Sequence, residues 1–429
     1  MTIERKVAIV TGANTGVGYA IVERLMDESP DPLTIILACR NKNRAEEALH
    51  SLQDLLSQKQ RQAQKQDQCG EDENHEGNDK HRRHHYYHRD TQLRIELVDV
   101  GSAASVLAFN QRILDQYPRI NYLFCNAGIL PSIRLNWAKL VVDMFTAPMD
   151  LLTRSDVLVQ PKQHLTEDGV GNVLACNVFG HYIMIKSLES VLDGTEEDPG
   201  RVIWTSSITA EKNSFVREDW QGLESEQPYE SSKWVTDLLA IRLNQIWANG
   251  HTNEGSKESD GAFSTGSASS SGSESYSSAL PERRVTRSAS KVALAETKTT
   301  TSPSNKNNTK RHIVSLTTHP GVVASGIGGL ATWIVMLRIM VHYVARFFGE
   351  RNQTISGRHG ALANVHVALK KPVLKLDYQY KYGSCVGRVG KEFIHLEKMV
   401  EYDESQAKIV VDELEKLREQ SVIAASTRK

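Results

Sequence analysis

The run Lys6-Val7-Ala8-Ile9-Val10, followed at once by Thr11-Gly12-Ala13-Asn14-Thr15-Gly16-Val17-Gly18, constrains this chain more than any other stretch. Its first five residues read as a short buried strand, and an amphipathic helix is expected from residue 19 to about 26. Strand, glycine turn and helix together form the context that a dinucleotide phosphate loop requires. Gly12 permits the tight turn, Gly16 lets backbone approach a pyrophosphate, and Gly18 lets the helix pack on the sheet. Asn14, Thr15 and Val17 fill the same loop, and the helix N-terminus then faces phosphate.

Further strands are expected at residues 33–38, 93–98, 122–125, 201–205 and 312–316, alternating with helices at 44 to about 56, 170–188 and 229 to about 248. That alternation specifies an α/β fold, a Rossmann-type doubly wound parallel sheet. The second strand ends in Cys39-Arg40-Asn41, where an NAD site usually carries an acid for the ribose 2′-hydroxyl. Arg40 suits a 2′-phosphate instead, which points to NADPH. Asp99, closing the third strand, reads as an adenine contact or as a helix cap, a role that Ser102 also fits. Asn126-Ala127-Gly128 makes a small-residue floor, with Asn126 able to bond neighbouring backbone. Asn177 is a polar amide in an apolar helix, either satisfied in the core or marking a kink with a bound water. Hydroxyls at the end of the fifth strand, Ser206 and Ser207, sit where such sheets bind ligands; Ser207 is preferred as the reactive one and Ser206 is the alternate.

Tyr229 and Lys233, four residues apart at the start of a helix, share one face. A nearby ammonium favours the phenolate, so the tyrosine releases its proton more readily. Pro320-Gly321 after the sixth strand reads as a turn that wraps a nicotinamide, with Val323 near its carboxamide and Ser325 near a phosphate.

The chain has 429 residues, 40% of them apolar, and a net charge of −1, so charge gives no bias toward nucleic acid. Five scattered cysteines without C-x-x-C fit a reduced compartment and argue against a disulfide framework or zinc site. The N-terminus does not read as a secretory signal. Residues 1–58 and 91–248 read as core, and 59–90 as a low-complexity insertion whose His81, His84, His85 and His88 lack cysteine partners, so no metal is expected. Residues 249–311 read as a disordered Ser/Thr-rich insertion. Residues 312–329 hold the last core strand and cofactor loop, and 349–429 form a C-terminal, partly helical extension. Residues 330–348 are the most hydrophobic stretch. Arg338, His342 and Arg346 recur every four residues there, which argues against a membrane span and for an interfacial helix with a basic face opposite an apolar one, or for a helix over an apolar pocket.

Taken in order, Gly12…Gly16…Gly18, Asp99, Asn126-Ala127-Gly128, Asn177, Ser207, Tyr229…Lys233 and Pro320-Gly321 resemble the short-chain dehydrogenases/reductases. Leu37-Ala38-Cys39-Arg40-Asn41, Asn177-Val178-Phe179-Gly180-His181, Ile203-Trp204-Thr205-Ser206-Ser207 and Thr236-Asp237-Leu238-Leu239 narrow the resemblance to the 3-keto-steroid reductases of sterol biosynthesis, and the two insertions point to a fungal member. The resemblance implies NADPH-dependent reduction of the 3-keto group of a sterol ketone during C-4 demethylation. Tyr229 would be proton donor, Ser207 the carbonyl holder, Lys233 the ribose ligand, and Asn177 would hold a water that relays a proton to Lys233. It also implies association with the endoplasmic-reticulum membrane or lipid droplets, and partnership with oxidosqualene cyclase (lanosterol synthase) and the C-4 demethylation enzymes. A retinoid or other lipid carbonyl reductase, and a membrane scaffold for a partner enzyme, are the alternatives.

Overall fold

The computed structural model describes residues 5–69, 91–131, 134–146, 158–249, 310–324, 332–399 and 401–427. They belong to one unit, Met1–Gly250 with Lys310–Lys429; the second unit, His251–Thr309, lies outside the described residues.

The chain opens with β1 (Lys6–Thr11), α1 (Gly16–Glu28), β2 (Leu33–Cys39), α2 (Lys42–Cys69), β3 (Gln92–Leu97), α3 (Ala103–Gln116) and β4 (Tyr122–Cys125). A ribbon of β5 (Arg134–Leu135) and β6 (Leu158–Val159), with α4 (Trp137–Thr146) between its strands, follows. Helix α5 comprises Asn172–Leu174, a π-helical turn Ala175–Phe179 and Gly180–Leu192. Then come β7 (Gly200–Thr205), α6 (Pro228–Asn249), β8 (Ile313–His319), α7 (Thr332–Phe348), α8 (Leu362–Leu369), β9 (Tyr380–Val386), β10 (Glu392–Lys398) and α9 (Glu404–Thr427).

Eight strands form one sheet in the order β10-β9-β8-β7-β4-β1-β2-β3. Every adjacent pair is parallel except β9 with β10. The period-2 geometry of the strands sorts their apolar residues between two cores. Val7, Ile9, Leu123, Val202 and Trp204 face α3, α5 and α6, whereas Ala8, Val10, Phe124 and Ile203 face α1, α2 and α8. Strands buried on both faces need continuous apolar runs, which Ala8-Ile9-Val10 and Ile35-Ile36-Leu37 supply. Helix α9 closes the first core by burying Val410, Val411 and Leu414, while Ala407 packs with Trp234 and Leu238 of α6. The chain builds β2 and β3 on one side of β1, then returns to β4 on the other. The ligand crevice of such a sheet lies at that reversal, beyond Thr11, Cys125 and Thr205.

Four expectations need correction or extension. Helix α2 continues past the expected end near residue 56 to Cys69, because Gln, Lys, Arg and Ala are good helix formers however polar the run. The histidine cluster of that insertion lies outside the described residues. The C-terminal extension, expected to be partly helical, also contributes β9 and β10, which extend the sheet. Within residues 91–248, expected as core, the stretch between Pro131 and Glu167 contributes the β5–β6 ribbon and α4, and its residues 132–133 and 147–157 are outside the description.

The fourth concerns α7. Its basic positions do not form an outer face: His342 is 4% and Arg346 6% exposed, while Met336, Met340, Tyr343, Phe347 and Phe348 are all more than half exposed. Arg346 turns inward because buried backbone needs it. Its Nε donates to the Gln353 carbonyl at 2.9 Å and its guanidinium also reaches the Thr354 carbonyl at 2.9 Å. The side chain of Arg338 is outside the description. Among the described residues no helix is long and apolar enough to cross a membrane.

Candidate active site

A cleft of about 550 Å³ opens beyond the C-terminal ends of β1, β4 and β7. The glycine loop forms one wall. Gly12 and Gly16 adopt φ of +68° and +59°, which side chains rarely tolerate. A Cβ on Gly18 would lie 2.3 Å from the Gly12 carbonyl oxygen, so this glycine lets the first turn of α1 close against the loop itself. Thr15 caps α1 without a side-chain hydrogen bond, leaving N–H donors at the helix start to face the cleft beside Asn14, Thr15 and Val17. These open donors fit a dinucleotide's phosphates.

Arg40, 72% exposed, stands at the rim 3.8 Å from Asp99, and Asn41 and Arg44 line the cleft beside it. Asn41 Oδ1 accepts the Arg44 N–H at 3.0 Å and so caps α2. Arg44 escaped the sequence reading, although its spacing from Arg40 is one helical turn. Asp99 lines the cleft, and its Oδ1 accepts the Gly101 N–H at 3.0 Å, while Ser102 caps α3 by accepting from Ser105 at 3.4 Å.

The floor is knotted by short polar bonds. Asn126 Nδ2 donates to the Thr11 carbonyl at 2.9 Å, and the N–H groups of Asn126 and Ala127 both donate to Thr11 Oγ1 at 2.9 Å. Thr11 Oγ1 also meets His181 Nε2 at 2.9 Å. Burial, with a smaller contribution from the Lys233 charge, pushes His181 down to about 3, so the imidazole is neutral at physiological pH. Asn364 Nδ2 donates to Thr205 Oγ1 at 2.9 Å, tying the C-terminal extension to the strand that carries the serines.

The π-helical turn of α5 carries Asn177 at its centre. Single π turns recur at functional sites because they rotate one side chain out of the helical register. Asn177 Oδ1 accepts the Ile129 N–H at 2.7 Å, and its Nδ2 donates to the Ile129 carbonyl at 3.1 Å and to Ser232 Oγ at 2.9 Å. The side chain therefore clamps the exit of β4 to α6.

Pro228 opens α6, as suits a residue without an N–H. The Tyr229 N–H donates to Gln160 Oε1 at 3.1 Å, and Gln160 Nε2 donates to Glu230 at 2.7 Å, so the residue after β6 caps this helix from outside. Tyr229 and Lys233 both line the cleft, with the ammonium 5.6 Å from the phenol ring centroid. Lys233 Nζ donates to the Thr205 carbonyl at 2.8 Å. The expected lowering of the phenol by its lysine is not what the fold produces. Burial dominates and, with the Glu230 charge, pushes Tyr229 up to about 12, while a hydrogen bond with Ser207 works the other way. Burial also pushes Lys233 down to about 8, which weakens the charge that would have favoured a phenolate. A phenol held in this range stays protonated and is suited to donating a proton.

The two serines diverge. Ser206, 2% exposed, lines the cleft, and its hydroxyl meets the Lys233 carbonyl at 3.4 Å and the Asp237 carboxylate. Ser207 lies on the Tyr229 side, its Oγ meeting Thr209 Oγ1 at 2.9 Å. Across the cleft, Pro320, Gly321 and Val323 complete the wall, with Gly321 at φ +66°. Ser325 lies outside the described residues. Three inward supports went unseen in the sequence: Gln160, Asn364 and Lys381, whose Nζ donates to the Ser207 carbonyl at 3.1 Å.

The chain is 33% identical over 249 residues to the human 3-keto-steroid reductase/17-beta-hydroxysteroid dehydrogenase 7, covering 56% of this chain and 61% of that one. It is 26% identical over 401 residues to the 3-keto-steroid reductase of Kluyveromyces lactis, covering 92% and 89%. To that of Aspergillus fumigatus it is 25% identical over 413 residues, covering 90% and 79%. It spans about three fifths of the length of the human, rat and fission-yeast relatives it matches, at 61%, 62% and 62%. No protein-family model matches the chain.

Proposed function

We propose that the chain, related to the 3-keto-steroid reductases of fungi and animals, is a short-chain dehydrogenase/reductase that reduces the 3-keto group of a 4-methyl sterol to the 3β-hydroxyl with NADPH. The observation that carries this reading is the convergence of Tyr229 and Lys233 in a cleft that Arg40 and Arg44 also line, with Ser207 hydrogen-bonded to Tyr229 beside them.

NADPH, when bound, supplies hydride to the carbonyl carbon. Tyr229 donates its proton to the carbonyl oxygen as charge develops there, and the Ser207 hydroxyl holds that oxygen in place. Lys233 serves the ribose hydroxyls and places positive charge beside the spent phenol. Asn177 keeps Ile129 and α6 in register, and because its amide is already engaged by Ile129 and Ser232, positioning is its first task. The open N–H groups at Gly16 and Val17 would hold the pyrophosphate, Arg40 and Arg44 the 2′-phosphate, Asp99 the adenine, and Val323 the carboxamide.

The outward face of α7, with Met336, Met340, Phe347 and Phe348, supports a peripheral seat on the endoplasmic-reticulum membrane or a lipid droplet, where an apolar ketone would be found. Oxidosqualene cyclase and the C-4 demethylation enzymes are the partners this placement would bring close.

The test is product analysis with purified protein, NADPH, a 4-methyl-3-keto sterol and retinal. Conversion of the sterol ketone to its 3β-alcohol is expected; turnover of retinal with none of the sterol sinks the assignment.

A further inference from the structure

Lys381 and Asp237 form a buried ion pair that the reaction chemistry does not itself require. Lys381 Nζ lies 2.6 Å from Asp237 Oδ2, and the side chains are 5% and 4% exposed. Asp237 is one helical turn beyond Lys233 on α6, so both side chains emerge from the same face. Lys381 comes from β9, brought alongside β8 by the parallel register Thr317↔Lys381. The same ammonium donates to the carbonyl of Ser207 at 3.1 Å. One cation from the C-terminal extension thus touches both the segment that carries the proposed carbonyl-holding hydroxyl and the helix that carries the proton donor.

A buried charge pair is a poor source of stability, because desolvation offsets most of the attraction. What such a pair does well is fix geometry. We propose that the Lys381–Asp237 pair is a positioning device for the reduction: it holds the Ser207 backbone against α6, and its two opposite charges act on Lys233 in opposite directions.

The inference rests on the reading of Tyr229, Ser207 and Lys233 given above. Its second half follows from the groups that face the pair. Lys233 gains proton affinity from Asp237 and then from Cys125 of β4, and loses less of it to Lys381, while the neutral His181 faces it from α5. From β8, His319 faces Lys381, and burial keeps it neutral by pushing it down to about 3. From β10, Glu397 and His395 face the same region. Removing one member of the pair therefore changes the field on Lys233 in a direction set by which charge is lost.

The test uses the full chain and four variants, measured for kcat, KM for ketone and NADPH, NADPH affinity and the alkaline limb of the pH profile. Lys381→Arg keeps the charge and is expected to stay within about threefold of wild-type kcat. The double variant Lys381→Met with Asp237→Asn leaves no unpaired charge; it is expected to bind NADPH normally, to lose about 10- to 100-fold in kcat because Ser207 is no longer held, and to move the limb to lower pH by less than Asp237→Asn alone does, because Asp237 acts on Lys233 more strongly than Lys381. Asp237→Asn alone moves the limb to lower pH and Lys381→Met alone to higher pH, a split that merely structural damage would not produce. The inference is overturned if the double variant folds and turns over at the wild-type rate, or if both single variants shift the limb the same way. An active Tyr229→Phe would overturn the reading beneath it instead, so the two failures are separable. Should a single variant not fold, the double variant and Lys381→Arg still decide the matter.

Discussion

Asn177 holds both backbone polar atoms of Ile129, accepting its N–H at 2.7 Å and donating to its carbonyl at 3.1 Å. The pairing joins the exit of β4, which floors the cleft, to the π-helical turn, and the bond to Ser232 carries it on to α6. Asn177→Ala leaves both Ile129 groups short of a partner. We expect a stability loss of about 1–3 kcal/mol, read by denaturant unfolding. Because Tyr229 and the floor then lose their common support, kcat should fall by about 10- to 100-fold.

The cofactor preference should reside in two arginines. Arg40 and Arg44 line the cleft where we propose the 2′-phosphate sits, and β2 ends without an acidic residue. Arg40→Asp removes a charge and adds a repulsive one, so kcat/KM for NADPH should drop by at least about tenfold while that for NADH is unchanged or higher. Paired kinetics with the two cofactors measure this.

The pH profile should be asymmetric. Lys233 is pushed down to about 8 by burial, so it loses its charge as pH rises through that value, whereas Tyr229, pushed up to about 12, remains a proton donor throughout. NADPH-dependent reduction should therefore hold near neutrality, and kcat/KM for NADPH should fall above about pH 8, a limb assigned to Lys233.

Acid should weaken the fold through two buried histidines. His181 and His319 are both pushed down to about 3 from 6.5, mainly by burial. Between those values the unfolded chain binds protons that the folded chain refuses, so stability is complete above pH 6.5 and declines as pH falls toward 3. Each histidine contributes a slope of up to about 1.4 kcal/mol per pH unit. Thermal unfolding at pH 7 and pH 5 measures it, and His181→Asn should flatten the decline.

Arg346 links α7 to the cofactor wall. It binds the Gln353 and Thr354 carbonyls, and the adjoining Ile355 N–H donates to the Val322 carbonyl at 2.9 Å. Ile355 itself sits at φ +67°, a costly conformation for a β-branched residue that persists only where its surroundings enforce it. Arg346→Met should loosen this segment and weaken NADPH binding by about 0.5–2 kcal/mol, measured by fluorescence titration.

The parts legible in the sequence are those whose chemistry is local. The glycine loop, the Tyr229–Lys233 spacing, Asn126 and the strand ends carry their signals within a few residues, and the fold brings Gly12, Asn126, Tyr229 and Lys233 to one cleft. Lys381, Asn364 and Gln160 were opaque because their partners are distant in the chain and are set by strand register and loop path. Lys381 reads as a surface charge until β9 lays it against Asp237. Helix α7 illustrates a different limit. Its periodicity revealed two faces, but which one turns inward depended on the buried carbonyls of Gln353 and Thr354. How the strand end turns its two serines was likewise opaque: Ser206 meets the Lys233 carbonyl and Ser207 the Tyr229 phenol.

The most direct measurement compares wild-type protein with Tyr229→Phe on a 4-methyl-3-keto sterol, with NADPH affinity measured on the same samples. The wild type should form the 3β-alcohol, and Tyr229→Phe should lose about 100- to 10,000-fold in kcat while binding NADPH within about threefold of wild type. Wild-type turnover by Tyr229→Phe would contradict the account at its centre.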